Sequence, residues 1–397
     1  MMAEQFSAWA VFWAFLRLGL TAFGGPVAHL AYFREEFVIR RRWLDERSYA
    51  DVVALCQFLP GPASSQVGMA LGMLRAGYRG ALAAWLGFTL PSAVLLILLA
   101  IGLNTWGEAL ASGALQGLKA AVVAVVAQAV WGMGRQWCPD ALRVMFMGLT
   151  AMVVLLAPSA WIQIGCLLLA GLAGMWWLPT AQAENGPSVP SPVSRRAATV
   201  WLALFAAGLL GLPWLASSLS IPALQMADAF YRAGALVFGG GHVVLPLLQA
   251  ELVPTGWVDE KVFLAGYGAA QAVPGPLFTF AAFLGASSLQ GPTGWWGGGL
   301  ALVAIFLPSF LLVAGALPFW VALRNHALAR SALAGVNAAV VGLLLAAFFQ
   351  PVWSSAITGL REFIVALMAW GALMYWRLPP WLVVLGCAAI GWAALSR

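Results

Sequence analysis

Two sets of residues recur along this sequence at spacings suited to anion chemistry. Gln57 stands three residues before Pro60-Gly61-Pro62, and Gln271 three before Pro274-Gly275-Pro276. Proline removes a backbone donor and clashes with the preceding turn, so two prolines around a glycine break a helix. The segment behind each break starts a new half-helix, whose unpaired N–H groups and dipole attract anions. The first start reads Ala63-Ser64-Ser65-Gln66 and the second Leu277-Phe278-Thr279, with Thr279 aligned to Ser65. Hydroxyl donors therefore stand at both, and their competing role is to cap a structural kink. Gln57 and Gln271 either bind substrate or satisfy the broken backbone. Arg17 and Arg232 each lie six residues before a Phe-Gly-Gly, in or near an apolar run. A guanidinium clamps an oxyanion with two parallel hydrogen bonds. The competing roles are snorkelling and pairing with Glu36 and Glu251.

Phe23-Gly24-Gly25 and Phe238-Gly239-Gly240-Gly241-His242 are second breaks, where paired glycines permit a hinge or a close approach. His29 and His242 follow these breaks without aligning with one another, which suits a structural role at least as well as proton transfer. Lys119 and Asn337 sit inside apolar segments as candidate pathway residues, and neither is matched by the repeat described below. The cysteines Cys56, Cys138, Cys166 and Cys387 are scattered, no C-x-x-C occurs, and no histidine has metal-ligand spacing. No metal or cofactor is expected. Nucleotide-binding, H-E-x-x-H, G-x-S-x-G and paired-aspartate signatures are missing, so the chain reads as a non-enzyme driven by a gradient rather than by ATP.

The elements that must hold these residues are set by composition. The 397 residues are 62% hydrophobic and 9% charged, whereas a soluble domain carries about 25% charged residues. Lipid is the solvent such a chain fits. The 43 glycines and 21 tryptophans agree with that solvent, glycine allowing close helix packing and tryptophan favouring the interface. The net charge of +6 lies in short loops and reflects orientation in the membrane, not nucleic-acid binding. The start of the chain lacks the basic region of a cleaved signal peptide. Apolar segments fall near 6–25, 50–74, 79–103, 109–131, 143–157, 160–178, 198–216, 222–249, 262–289, 295–320, 327–350, 358–376 and 380–395. The expected fold is an all-α polytopic membrane protein of about 10–13 transmembrane segments, some broken or re-entrant.

The two sets of motifs belong to an internal repeat. Arg17, Phe23 and Glu36 return 215 residues later as Arg232, Phe238 and Glu251; Trp43, Asp45, Gln57 and Pro60 return 214 later as Trp257, Asp259, Gln271 and Pro274. Leu90-Pro91-Ser92 returns as Leu307-Pro308-Ser309. The expected organisation is a first repeat over 1–178, a linker over 179–221 holding an extra span at 198–216, and a second repeat over 222–397. Seven spans before the second copy would invert it. The loop holding Arg34, Arg40, Arg41, Arg42 and Arg47 faces a counterpart holding Glu251, Asp259, Glu260 and Lys261, which also suggests opposite sides. The positive-inside rule places the arginine-rich loop in the cytoplasm. Strict alternation of thirteen spans then puts both the N-terminus and Arg195-Arg196 outside, a conflict that calls for re-entrant segments.

With Phe23-Gly24-Gly25, Gln57-Phe58-Leu59-Pro60-Gly61-Pro62, Leu90-Pro91-Ser92, Phe238-Gly239-Gly240-Gly241-His242 and Gln271-Ala272-Val273-Pro274-Gly275-Pro276, the chain resembles the chromate ion transporter family, in its long form with two homologous domains. The resemblance implies inner-membrane efflux of chromate, chromate resistance, sulfate as a similar anion and repeats of opposite orientation. The site expected from the residues is one oxyanion cavity between the two P-G-P breaks. Arg17 and Arg232 would supply charge there, and Ser64, Ser65 and Thr279 donors, with the glycine breaks as hinges. Partners expected are the oxyanion, the lipid bilayer and a second copy of the chain. Inward transport of sulfate or another tetrahedral oxyanion is the alternative. A membrane enzyme acting on a lipid-linked substrate would need clustered acids, but the acidic residues fall mostly in loops.

Overall fold

The computed structural model describes residues 7–106, 112–157, 159–179, 191–238 and 241–394. It is 85% helical, without strands among the described residues. The first repeat comprises α1 (Ala8–Thr21), α2 (Gly25–Arg34), which continues as a π-turn over Glu35–Arg40, α3 (Glu46–Phe58), α4 (Ala63–Trp106), α5 (Ser112–Trp137), α6 (Ala141–Leu156) and α7 (Ala160–Trp177). Helix α8 (Arg195–Leu219) follows. Most of the polar linker, 180–190, lies outside the described residues. The second repeat comprises α9 (Pro222–Leu236), α10 (Val244–Leu252), α11 (Glu260–Ala272), α12 (Phe280–Ala286), α13 (Gly294–Ala316), α14 (Trp320–Asn325), α15 (Ala327–Ala347), α16 (Ser354–Ala356), α17 (Leu360–Met374) and α18 (Pro380–Ala394). Five helical stretches among the described residues are long and apolar enough to cross a membrane: Ala63–Leu103, Gln116–Trp137, Arg195–Leu219, Gly294–Phe319 and Ala327–Ala356.

Several apolar segments expected to span are hairpins of two half-helices. Segment 50–74 enters as α3, breaks at Pro60-Gly61-Pro62 and returns as the first limb of α4. The Arg75 guanidinium at the end of that limb lies 5.3 Å from the Trp43 ring, just before α3 begins. Segment 262–289 does the same: the Leu289 N–H after α12 donates to Trp257 O before α11, at 2.9 Å. Asp45 and Asp259 start these hairpins by accepting from Ser48 N and Lys261 N, each at 2.8 Å, caps that satisfy free N–H groups of the first helical turn. Segment 222–249 is the α9–α10 hairpin, with Pro222 packed on Gly291 in the same loop region. Helices α1 and α2 form its counterpart, closed by Phe15 against Phe33 and Phe37 at 5.5 and 4.7 Å. The second limb of α4, after non-helical Ala76 and Gly77, and α13 are the full spans behind them.

Because the hairpins return to the end they came from, the conflict over alternation disappears. Tyr78 at the start of the second limb of α4 accepts from Trp201 Nε1 of α8 at 3.0 Å. Trp320 Nε1 donates to Asp51 of α3 at 2.7 Å, and Ser331 Oγ of α15 donates to Leu178 O behind α7 at 3.3 Å. One end of the bundle thus gathers the loop of Arg40, Arg41 and Arg42 together with Arg75, Arg79, Arg195 and Arg196. The opposite end holds the Glu251–Glu260 loop. It also holds the start of α5, where Gln116 Nε2 donates to Ala356 O at 3.0 Å. The two equivalent spans run antiparallel. Tyr78 meets Phe310 at 6.5 Å and Trp85 meets Phe306 at 5.8 Å, while Ile97 lies against Gly298.

Each repeat completes the other. Helix α5 packs on α17 and α18 of the second copy, and α15 packs on α6 and α7 of the first. Both crossings rest on glycine. A Cβ on Gly117 would strike Cys387 O and Gly391, and one on the equivalent Gly335 would strike Ala170 O and Gly174. Without an apolar solvent effect to drive association in lipid, such backbone approach is what holds helices together. Overpacking a close contact costs about 1–3 kcal/mol. Gly335→Leu is expected to lower the thermal unfolding midpoint of the detergent-solubilised protein by several degrees. Gly132→Leu, where nothing lies within 4 Å of the added Cβ, should leave it unchanged. Equal midpoints for the two variants would rule out this packing.

Candidate functional site

The two kinds of break meet at the centre of the bundle, and they do so across the repeats. Gly61 N–H in the first P-G-P donates to Val237 O, just before the second Phe-Gly-Gly, at 2.6 Å. Gly275 N–H in the second P-G-P donates to Ala22 O, just before the first Phe-Gly-Gly, at 3.0 Å. Ala22 and Val237 are equivalent positions, 215 apart. Gly61 and Gly275 adopt φ of +124° and +108°, a region that L side chains rarely enter. A Cβ there would also lie 2.6 Å from Ser309 Oγ and 2.8 Å from Ser92 Oγ respectively, the serines of the other copy's Leu-Pro-Ser. All three motifs of the repeat therefore converge. At their meeting point Gly241 stands opposite its own equivalent, Pro26, whose Cγ would be 3.7 Å from an added Cβ.

Two clefts reach this crossing and share Pro26. The larger, about 640 Å³, is lined by Phe23, Gly24, Gly25, Tyr32, Gln128, His242, Gln271, Gly275 and Leu277, and by the α17–α18 turn at Arg377–Pro380. The smaller, about 370 Å³, is lined by Gln57, Gly61, Ala63, Gln136, Trp137, Arg330 and Asn337. No carboxylate lines either cleft among the described residues. A third cavity, of about 350 Å³, lies at the opposite end and includes Glu260 with Gln163, Gln249 and Gln350. Basic groups and amides over glycine and proline backbone form a surface on which an anion replaces water without meeting a like charge.

The expected single cavity is thus divided. Gln57 is exposed into one cleft, and Gln271 lines the other with a buried Nε2 that has no protein partner. The backbone of the first break is satisfied instead by Gln66, whose Nε2 donates to Pro60 O at 2.6 Å. The hydroxyls expected as donors lie behind the cleft walls. Ser64 Oγ is 3.4 Å from His29 Nδ1, Ser65 is buried, and Thr279 Oγ1 donates back to Pro276 O at 2.7 Å. The N–H groups of Gly61 and Gly275 are spent on the crossing. Pro62, Pro274 and Pro276 complete the breaks, while Gly239 and Gly240 lie outside the described residues.

Neither expected arginine reaches a cleft. Arg17 is exposed on α1 and lines neither. Arg232 is held by Asp228 at 2.8 Å and Glu251 at 2.7 Å, with Trp161 5.6 Å from its guanidinium carbon. Two carboxylates neutralise it and tie α9 to α10, so the pairing role replaces the anion-binding one. In the first copy Glu36 turns to Arg40 and Arg41 at 3.0 and 2.6 Å. His29 is buried against Phe88. His242 lines the larger cleft, its Nδ1 2.8 Å from Tyr267 Oη.

Asn337 lines the smaller cleft with a buried Oδ1 lacking a protein partner. Lys119 is buried on α5, within electrostatic reach of Lys261, Glu260 and Asp259. These two residues are in fact equivalent. Leu118-Lys119-Ala120-Ala121-Val122-Val123 matches Val336-Asn337-Ala338-Ala339-Val340-Val341 at an offset of 218, one more residue than at the Leu-Pro-Ser pair. The cleft arginines Arg330 and Arg377 have no signal of this kind, since they stand at element ends where loop charges abound.

Comparison with known proteins agrees with the twofold organisation. The chromate transporter family matches residues 9–175 and 224–392. A chromate transport protein of Pseudomonas aeruginosa is 31% identical over 345 residues, covering 84% of this chain and 78% of that one. One from Cupriavidus metallidurans is 26% identical, covering 96% and 91%. An uncharacterized transporter of Methanocaldococcus jannaschii is 27% identical over 98% of this chain and 95% of its own. No solved structure matches. By the extent of that match, in both repeats, this multi-pass membrane protein belongs to the chromate transporter family.

Proposed function

We propose that the protein exports chromate across the cell inner membrane and so confers chromate resistance. The observation that carries this reading is the crossing of the four breaks, reached by two carboxylate-free clefts that each contain an arginine and an amide. The name printed for the Pseudomonas aeruginosa relative, a chromate transport protein, supports the substrate. Chromate is a tetrahedral dianion. Arg330 and Arg377 draw it in, and Gln57, Asn337 and Gln271 hydrogen-bond it at the crossing. The basic end is the cytoplasmic one by the positive-inside rule. Arg330 at the start of α15 and Gln136 at the end of α5 place the mouth of the smaller cleft at that end. Outward movement of a dianion down the membrane potential releases about 4.6 kcal/mol per 100 mV, so no nucleotide is needed.

The antiparallel run of the second limb of α4 and α13 supports repeats of inverted orientation. Inverted repeats give alternating access, because each half can adopt the conformation of its twin and move the open cleft to the other side. Gly24, Gly25 and Gly241 act in this reading as the hinges, and His242 as a wall of the path.

Losing one hydrogen bond to a charged ligand costs about 1.5–3 kcal/mol. Chromate uptake into inverted membrane vesicles is therefore expected to fall at least about tenfold in Gln271→Leu and Asn337→Leu, with Arg17→Gln near wild type. Uptake no greater than in vesicles lacking the protein would reject export and leave sulfate import as the reading to pursue. Full activity in both amide variants would remove the clefts from the path. The orientation has its own test in a cysteine-free background. A membrane-impermeant maleimide should label Thr255→Cys in intact cells, and Arg47→Cys only in inverted vesicles. Labelling of both from one side would mean parallel repeats.

A further inference from the structure

A groove lies away from the clefts, between the two antiparallel spans on the outer surface of the bundle. It measures about 470 Å³ and is walled by Leu82, Trp85, Val303, Phe306 and Phe310, with Arg79 as its one charged residue. Leu82 and Val303 are about half exposed, so the groove opens sideways, toward the bilayer. Arg79 sits two residues past the bend in α4, at the basic end, and its side chain is exposed. The Trp201–Tyr78 hydrogen bond brings α8 alongside, which sets Arg195 and Arg196 at that same end. Deeper in the groove, Trp85 Nε1 is buried and has no hydrogen-bond partner. An indole N–H left unpaired in an apolar wall costs free energy unless an acceptor arrives.

We propose that this groove binds one anionic phospholipid of the basic-end leaflet. Six residues separate Arg79 from Trp85, about 9 Å along a helix. The order from the surface inward is a cation, a lone N–H donor and then an apolar trough. A phospholipid presents a phosphate, then ester carbonyls, then an acyl chain, in the same order. Charge complementarity selects an anionic headgroup, since a zwitterionic one brings its own cation to Arg79. The twin position argues the same way. At the offset of 217 that joins Ser92 to Ser309, Arg79 becomes Trp296 and Trp85 becomes Leu302. The equivalent surface at the opposite end therefore lacks the charge, and Leu302 offers no buried donor in place of Trp85, so the site belongs to one leaflet.

The test uses the full chain, purified and given equal amounts of phosphatidylglycerol and phosphatidylcholine, with retained lipid counted by native mass spectrometry. The wild type is expected to retain phosphatidylglycerol preferentially. Arg79→Gln should cut that preference about fivefold, as expected for one basic residue at an anionic surface, and Arg79→Lys should restore most of it. Val303→Trp, which fills the trough, should release both lipids while the protein still elutes as a folded species. Soluble glycerol phosphate should not compete, which separates a lipid site from a phosphate site. Equal retention of the two lipids by the wild type, or an unchanged preference in Arg79→Gln, would overturn the assignment. None of these readouts depends on chromate transport.

Discussion

The hydrogen bonds from Gly61 N–H to Val237 O and from Gly275 N–H to Ala22 O hold the centre of this protein together. A helix broken inside a bilayer leaves backbone groups that lipid cannot satisfy, so broken backbone persists only where protein or trapped water pairs it. Here each break is a partner for the other kind of break, and always in the opposite repeat. The donor comes from the P-G-P of one copy, the acceptor from the chain just before the Phe-Gly-Gly of its twin. The serine that closes over each glycine also belongs to the other copy. Neither repeat alone could pair its own centre.

That constraint explains the rest of the architecture. Two hairpins of half-helices must reach the centre from each end, because only the tips carry the breaks. Full-length spans must then lie beside the hairpins to cover them, which is the work of the second limb of α4 and of α13. The outer helices exchange, α5 lying against α17 and α18 and α15 against α6 and α7. Glycine at each crossing lets the backbones touch. The apolar composition follows as well, since the helices that close the bundle show lipid a surface of exposed leucine and tryptophan, as on α7 and α8.

Much of this was legible in the sequence, and the illegible part has physical causes. The breaks were visible because proline and glycine act locally on φ and on hydrogen bonding. The repeat was visible because equivalent breaks need equivalent residues. That each motif serves its twin rather than its own copy was not visible, since periodicity carries no information on which chain segment lies across a gap. In sequence Arg232 offers either an anion clamp or a partner for Glu251, because a charge in an apolar run is costly. Asp228, one helical turn before it, removes that cost, and the first copy has Trp13 at that position. The equivalence of Lys119 with Asn337 was hidden by the changing offset, 215, then 214, 217 and 218, which shifts at every loop of unequal length.

The copies are alike in backbone and unlike in chemistry, and this difference bears on how the centre can work. At the meeting point the first copy has Pro26, which cannot donate a hydrogen bond, and the second has Gly241. The buried partner of His29 is Ser64, whose equivalent is the apolar Phe278; His242 instead meets Tyr267. One cleft therefore ends on an exposed Gln57 and the other on a half-buried Gln271 beside a histidine–tyrosine pair. In the proposed reading the two clefts are half-sites for one ion, and half-sites of unequal polarity would not bind it equally well. A rearrangement that exchanges the conformations of the two repeats then changes the environment of the ion as well as its access. The reciprocal bonds set the path of such a change. The tip of each P-G-P hairpin is tied to the opposite repeat, so either the tips move with the other copy's Phe-Gly-Gly segments or both bonds break together.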